Sequence, residues 1–180
     1  IYLDGVFMNI AVLGGGSWGT ALAHVFAFGG HRVVMLVRKP EAAEEITRNH
    51  TNERYLPGSS LNPALLASTD PATALANSEI VVLAVPCQEM RSFLRSVKEF
   101  IPETAALVCA SKGLEKGSYA LMSQVVAEEL PHMAARYAIL SGPSFAREVV
   151  EGLPTAIVLG CADASLAAML RHELSSSMFR

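Results

Sequence analysis

The 180-residue sequence predicts an α/β fold, a doubly wound and mostly parallel sheet with helices on both faces. Three observations predict it. Apolar runs of strand length alternate with helical segments along almost the whole chain, the pattern of successive right-handed βαβ units. The runs are nearly continuous in Val, Ile, Leu and Ala, which marks strands buried on both faces. Hydrophobic residues make up 51% of the chain and charged ones only 17%, so most elements need cover on more than one side. This length supports one domain with a substantial core, or one domain plus part of a second.

In chain order, strand Ile10 to Leu13 leads to a helix over Ser17 to Phe28, and strand Arg32 to Val37 to a helix over Pro40 to His50. The polar loop His50 to Gly58 precedes a weaker strand at Leu65 to Ser68 and a helix at Pro71 to Ala76. Strand Ile80 to Val85 feeds helix Gln88 to Glu99, Ala105 to Ala110 feeds Ser118 to Glu129, and Tyr137 to Leu140 feeds Ser144 to Glu151. Thr155 to Leu159 is the last strand and Asp163 to Leu174 the last helix. The tail Ser175 to Arg180 carries no stop signal, as if a further strand were about to begin. No internal repeat, low-complexity tract or interdomain linker interrupts this order.

Several function classes are disfavoured. The net charge is −3 and no basic stripe interleaved with aromatics occurs, so nucleic acid is not an expected partner. Cys87, Cys109 and Cys161 are odd in number and widely spaced, fitting neither a disulfide framework nor a metal site. A reducing, cytoplasmic setting is expected. Residues 1 to 7 carry Asp4 and no basic residue, and the apolar stretch that follows is cut at Gly14, so neither a signal peptide nor a membrane span is expected. Those seven residues read as an upstream extension or a cloning remnant, with the domain running from Met8 to Arg180.

Gly14, Gly16 and Gly19 stand in a G-x-G-x-x-G frame between the first strand and the first helix. By itself such a frame is weak, because glycines serve many buried bends. Here it leaves an aliphatic strand and opens a helix, the context of a dinucleotide-binding turn. Gly14 would allow the tight turn, Gly16 the close approach of a pyrophosphate, and Gly19 close packing of helix on strand. The helix start offers free N–H groups to the phosphates. The fold expected is therefore a Rossmann-type domain. About twenty residues on, where an acid would take the ribose hydroxyls of NAD, the chain has Arg38 followed by Lys39. A guanidinium suits the 2′-phosphate of NADP, so NADP is the favoured cofactor, with NAD second; a solvated strand end is the bland alternative.

Ligands of open α/β sheets bind outside the carboxyl ends of the strands. The later strand ends carry Pro86-Cys87-Gln88, Ser111-Lys112-Gly113 and Ser141-Gly142-Pro143-Ser144. Cys87 reads as a small apolar filler. Lys112 either places an ammonium in the cleft, for a phosphate or a carbonyl oxygen, or is a solvated loop lysine. Ser144 either caps the next helix or touches substrate.

Together, Gly14 to Ala23, Arg54 to Gly58, Val82 to Pro86, Ser111 to Glu115 and Leu140 to Ala146 resemble the bacterial NAD(P)-dependent glycerol-3-phosphate dehydrogenases, over nearly the whole chain from Met8. The resemblance implies reversible reduction of dihydroxyacetone phosphate to sn-glycerol 3-phosphate, a phospholipid precursor. It implies that Ser17, Trp18, Arg38 and Tyr55 contact the cofactor, with Ala146 close to it. Lys112 is then the catalytic residue at the junction of cofactor and substrate, and Gly142 and Ser144 line the substrate side. Gly15 replaces a common alanine, a change expected to be harmless.

Family members continue into a helical domain that carries a second lysine, the expected proton donor, and leave room for a homodimer. Without that domain the chain is expected to bind NADP(H) but turn over poorly. A ketopantoate or 6-phosphogluconate type of dehydrogenase is a rival, opposed by the Ser111 and Ser141 motifs. A non-catalytic NADP-binding module is the rival from another class.

Overall fold

The computed structural model describes residues 7 to 180. The extension expected over residues 1 to 7 thus lies, apart from Phe7, outside the described residues.

The elements are β1 (Asn9–Leu13), α1 (Ser17–Phe28), β2 (Arg32–Leu36), α2 (Pro40–Glu44), β3 (Leu66–Ser68), α3 (Pro71–Leu75), β4 (Ile80–Leu83), α4 (Met90–Val97), β5 (Ala106–Cys109), α5 (Met122–Glu129), β6 (Tyr137–Ser141), α6 (Ala146–Val150), β7 (Val158–Cys161) and α7 (Ala164–Leu174). They form one seven-stranded sheet in the order β3-β2-β1-β4-β5-β6-β7. The first six strands are parallel and β7 is antiparallel to β6. The order reverses at β1, where Val12 lies between Met35 of β2 and Val82 of β4. That reversal opens a crevice at the carboxyl ends of β1 and β4, where a doubly wound sheet holds its ligand.

The continuous apolar runs explain the layers. In β1, Ile10 and Val12 enter the core under α1, α6 and α7, while Ala11 and Leu13 enter the core under α3, α4 and α5. β4 divides in the same way, Ile80 and Val82 against Val81 and Leu83, and so does β5, Ala106 and Val108 against Leu107 and Cys109. All twelve of these side chains are at most 1% exposed. At roughly 25 cal/mol per Å² of apolar surface, burying each larger one stabilises the fold by about 1.5–3 kcal/mol. Asp70 caps α3 by accepting from the Ala72 and Thr73 N–H groups, and Asp163 caps α7 by accepting from Leu166 N–H at 2.7 Å.

Some expectations need correction. The helix expected over Pro40 to His50 ends as α2 at Glu44 and widens into a π turn over Glu45–Asn49, closed by His50 at φ 55°. The wide turn coincides with wholly buried Ile46 and with a bond from the Ala67 N–H of β3 to the Thr47 hydroxyl, 3.0 Å. The last strand is Val158–Cys161, three residues beyond the expected start, while Thr155 forms a parallel bridge with Phe179. The tail therefore already pairs within the chain. The helix expected from Ser118 begins at Met122, because Ser118 and Tyr119 belong to the preceding loop. The helix expected from Ser144 begins at Ala146, with extended Phe145 at the capping position, so Ser144 is not its cap.

Candidate cofactor and substrate site

The site is built along the carboxyl edge of the sheet. Gly14 has φ 121°, its N–H donates to Leu36 O at 3.0 Å, and a Cβ there would stand 2.5 Å from the Ala84 carbonyl oxygen. The turn is thus squeezed between the ends of β2 and β4, and only glycine fits. A Cβ on Gly19 would run into the Gly14 carbonyl, so α1 lies directly against the turn.

Gly16 is different, for a Cβ there would meet no atom within 4 Å. It stands at the start of α1, where no side chain caps the helix and the first turn holds no acid. The first-turn N–H groups have no intrahelical acceptor, and the helix dipole is positive here. Open backbone, free donors and a positive end are what a pyrophosphate needs, so the residues present fit a dinucleotide.

At the next strand end, the Val37 N–H donates to Ser68 O at 3.0 Å, and Arg38 and Lys39 stand exposed beyond it. Gly15 packs against Val37, and its Cβ would lie 2.7 Å from Val37 Cγ1. An alanine here would press on a stiff β-branched side chain, whereas the glycine present fits without contact strain.

The loop from His50 to Gly58 closes onto this turn. Asn52, 2% exposed, donates through Nδ2 to Gly15 O at 3.1 Å and to Thr20 Oγ1 at 2.9 Å. The Ser17 hydroxyl donates to Tyr55 O at 3.0 Å, and the Arg54 guanidinium lies 5.5 Å from the Tyr55 ring centroid. The half-exposed Tyr55 ring is thereby held beside the start of α1.

Across the crevice, Ser111 Oγ donates to Val85 O at 2.5 Å and also reaches Leu83 O, fastening the end of β5 to that of β4. Gly113, at φ 115°, passes over Cys87, whose Sγ would lie 2.9 Å from a Cβ at that position. Between them, exposed Lys112 donates through Nζ to Gly142 O at 3.1 Å and so reaches the end of β6. Gly142 in turn lies against Ala156, and Ala146 packs at the core under α1. The Ser144 hydroxyl and the Trp18 indole N–H are buried without a hydrogen-bond partner, each an unmet donor that costs about 1–3 kcal/mol if left so. The predicted residues thus fall on one contiguous edge: the glycine turn, Ser17, Trp18, Arg38 and Tyr55 on the α1 side, Lys112, Gly142 and Ser144 on the β5–β6 side.

Sequence reasoning missed the polar ties that hold these loops. Gln88 donates through Nε2 to Leu114 O and accepts from Lys116 N–H through Oε1, both at 2.8 Å. Arg91 forks onto both oxygens of Glu115 at 2.8 Å and also reaches Glu128 and Glu129. The Glu115 carboxyl, beside Arg91 and accepting from Ser118 Oγ at 2.6 Å, is held down to about 2. These partners lie far apart in sequence, and nothing local marks them.

The family model described as "NAD-dependent glycerol-3-phosphate dehydrogenase N-terminus" matches residues 9–167. The chain belongs to this family. A glycerol-3-phosphate dehydrogenase [NAD(P)+] of Nitratidesulfovibrio vulgaris strain DP4 is 50% identical over 173 residues, 96% of this chain and 52% of the relative. The one from Rhodospirillum rubrum is 45% identical over 178 residues, 99% of this chain and 50% of the relative. The crystal structure of glycerol-3-phosphate dehydrogenase from Coxiella burnetii superposes with a TM-score of 0.87 at 34% identity, over 97% of this chain and 53% of that one. The chain thus spans about half the length of these glycerol-3-phosphate dehydrogenases. No helix among the described residues is long and apolar enough to cross a membrane.

Proposed function

We propose that this chain is the cofactor-binding half of an NADPH-dependent glycerol-3-phosphate dehydrogenase, reducing dihydroxyacetone phosphate reversibly to sn-glycerol 3-phosphate for phospholipid synthesis. The observation that carries the reading is the placement of Lys112 on the same edge as the glycine turn, with its ammonium at the Gly142 carbonyl.

When bound, the reduced nicotinamide supplies the hydride that the ketone carbon takes up. The α1 N–H groups hold the pyrophosphate, Ser17, Trp18 and Tyr55 line the same side, and Ala146 lies near the cofactor. Arg38, with Lys39 beside it, receives the 2′-phosphate. Lys112 holds positive charge against the substrate's carbonyl oxygen or phosphate, stabilising the charge that develops as the ketone is reduced. Gly142 lines the substrate side through the carbonyl that holds Lys112, and Ser144 offers the substrate an unmet hydroxyl donor. The proton for the new alcohol comes from a lysine in a helical domain beyond Arg180, so residues 8–180 bind NADP(H) but turn over poorly alone. The full-length protein works as a cytoplasmic enzyme and associates as a homodimer.

The test is the full-length protein assayed with dihydroxyacetone phosphate and NADPH, beside ketopantoate and 6-phosphogluconate with the matching cofactor. Turnover of dihydroxyacetone phosphate alone is the expected result. Preference for either of the others, or cofactor binding with no turnover at all, contradicts the proposal.

A further inference from the structure

We propose that Gln88, in the turn before α4, and Arg91, in the first turn of α4, are positioning residues that set the place of the Lys112 ammonium. The inference rests on the role given to Lys112 above.

Lys112 stands at the root of a long connection, Ala110 to Leu121, between β5 and α5. Such a loop with an exposed lysine would ordinarily be mobile. This one is tied at Leu114, Glu115 and Lys116 to Gln88 and Arg91. Gln88 takes both halves of a backbone pair, donating to Leu114 O and accepting from Lys116 N–H, each at 2.8 Å. Arg91 grips the Glu115 carboxylate with two parallel bonds of 2.8 Å, and these side chains are only 21% and 14% exposed. A forked guanidinium–carboxylate pair fixes direction as well as distance. Glu115 passes the constraint on: it accepts from Ser118 Oγ, its N–H donates to Ala120 O, and its carbonyl accepts from Tyr119 N–H. The loop closes on itself at the Leu114–Leu121 bridge.

The clamp also faces the cofactor side. The six-residue link from β4 to α4 starts at Ala84, whose carbonyl lies close against the Gly14 turn. Cys87, next to Gln88, lies under Gly113, the residue after Lys112. One short segment, 84 to 91, thus touches the glycine turn at one end and the Lys112 loop at the other. The two halves of the site are held in register by a single element, and a lysine displaced by about an ångström would no longer meet charge developing at the substrate. Arg95 supplies the control, because it shares Glu129 with Arg91 at 2.8 Å yet makes no hydrogen bond to the Lys112 loop.

The experiment compares Arg91→Met, Arg91→Lys, Gln88→Leu and Arg95→Met in the full-length protein. Steady-state kinetics, NADPH affinity, and amide hydrogen exchange over residues 111–121 are measured for each. Arg91→Met and Gln88→Leu are expected to lower kcat about 10- to 100-fold with the NADPH Kd within about twofold. Exchange should accelerate across that loop in both. Arg91→Lys, which keeps the charge but not the fork, should fall between, and Arg95→Met should match wild type in kcat and in loop exchange. Wild-type kcat in Arg91→Met and Gln88→Leu overturns the proposal, as does an equal loss in Arg95→Met, which would mark general stability as the cause. If wild type itself fails to reduce dihydroxyacetone phosphate, the functional reading falls. The clamp is then judged on exchange alone, and unchanged protection of residues 111–121 in both variants overturns it.

Discussion

The Lys112 ammonium donates to the Gly142 carbonyl across 3.1 Å, joining the loop after β5 to the loop after β6. Lys112 is exposed, so this bond contributes little to folding. Urea unfolding of Lys112→Ala in the 180-residue chain should give a stability within about 0.5 kcal/mol of wild type. A loss of several kcal/mol would assign Lys112 a structural role instead.

Arg38 is exposed at the end of β2, where an acid would favour NAD. A charge-assisted bond to the 2′-phosphate is worth about 1.5–3 kcal/mol. Arg38→Ala should therefore weaken NADPH binding about 10- to 150-fold and leave NADH almost unaffected, as read by fluorescence titration. Equal losses for the two cofactors would remove Arg38 from the 2′-phosphate site.

Asn52 holds the loop from His50 to Gly58 against the glycine turn through Gly15 O and Thr20 Oγ1. Asn52→Ala leaves the buried Thr20 hydroxyl and the part-buried Gly15 carbonyl without this donor, at a cost of about 1–3 kcal/mol in stability. NADPH affinity should fall with it, since the loop carries Tyr55. A variant with wild-type urea midpoint and wild-type NADPH affinity would show that the contact is incidental.

Gly15→Ala tests the packing of the turn itself. The added methyl would stand 2.7 Å from Val37 Cγ1, and overpacking of this kind costs about 1–3 kcal/mol. In a Val37→Ala background the same exchange should cost much less than it does beside Val37. If Gly15→Ala is as stable as wild type, the turn adapts more easily than its geometry indicates.

His24 is 6% exposed and accepts the Asn62 N–H through Nδ1 at 3.1 Å, and burial lowers its pKa below 6.5. Below 6.5 the unfolded chain takes up a proton that the folded ring resists, so stability present at neutral pH is lost as the pH falls from 6.5 toward the folded value. Urea midpoints at about pH 7.5 and about pH 5.5 should drop more in wild type than in His24→Gln. Equal drops would place the titration elsewhere.

Central strands were legible in the sequence because burial on both faces leaves continuous apolar runs, as in Ile80 to Leu83 and Ala106 to Cys109. The edge strand β7 was misplaced for the converse reason. Val158–Cys161 is half-covered, with Val158 exposed, and its pattern does not stand out from the apolar residues before it. The glycine turn was legible because its constraints are local. Asn52, Gln88, Arg91 and Glu115 were not legible as ties, because each acts on a partner distant in sequence. Of the two roles open to Ser144, the cap is excluded, because the helix starts at Ala146 behind Phe145 and the Ser144 hydroxyl is buried and unpaired.

The most direct test of the account is steady-state turnover of dihydroxyacetone phosphate by full-length Lys112→Ala, measured beside its NADPH affinity. Loss of one preorganised positive donor predicts a fall of about 100- to 1,000-fold in kcat/KM with the NADPH Kd within about twofold of wild type. Wild-type turnover by that variant would contradict the account.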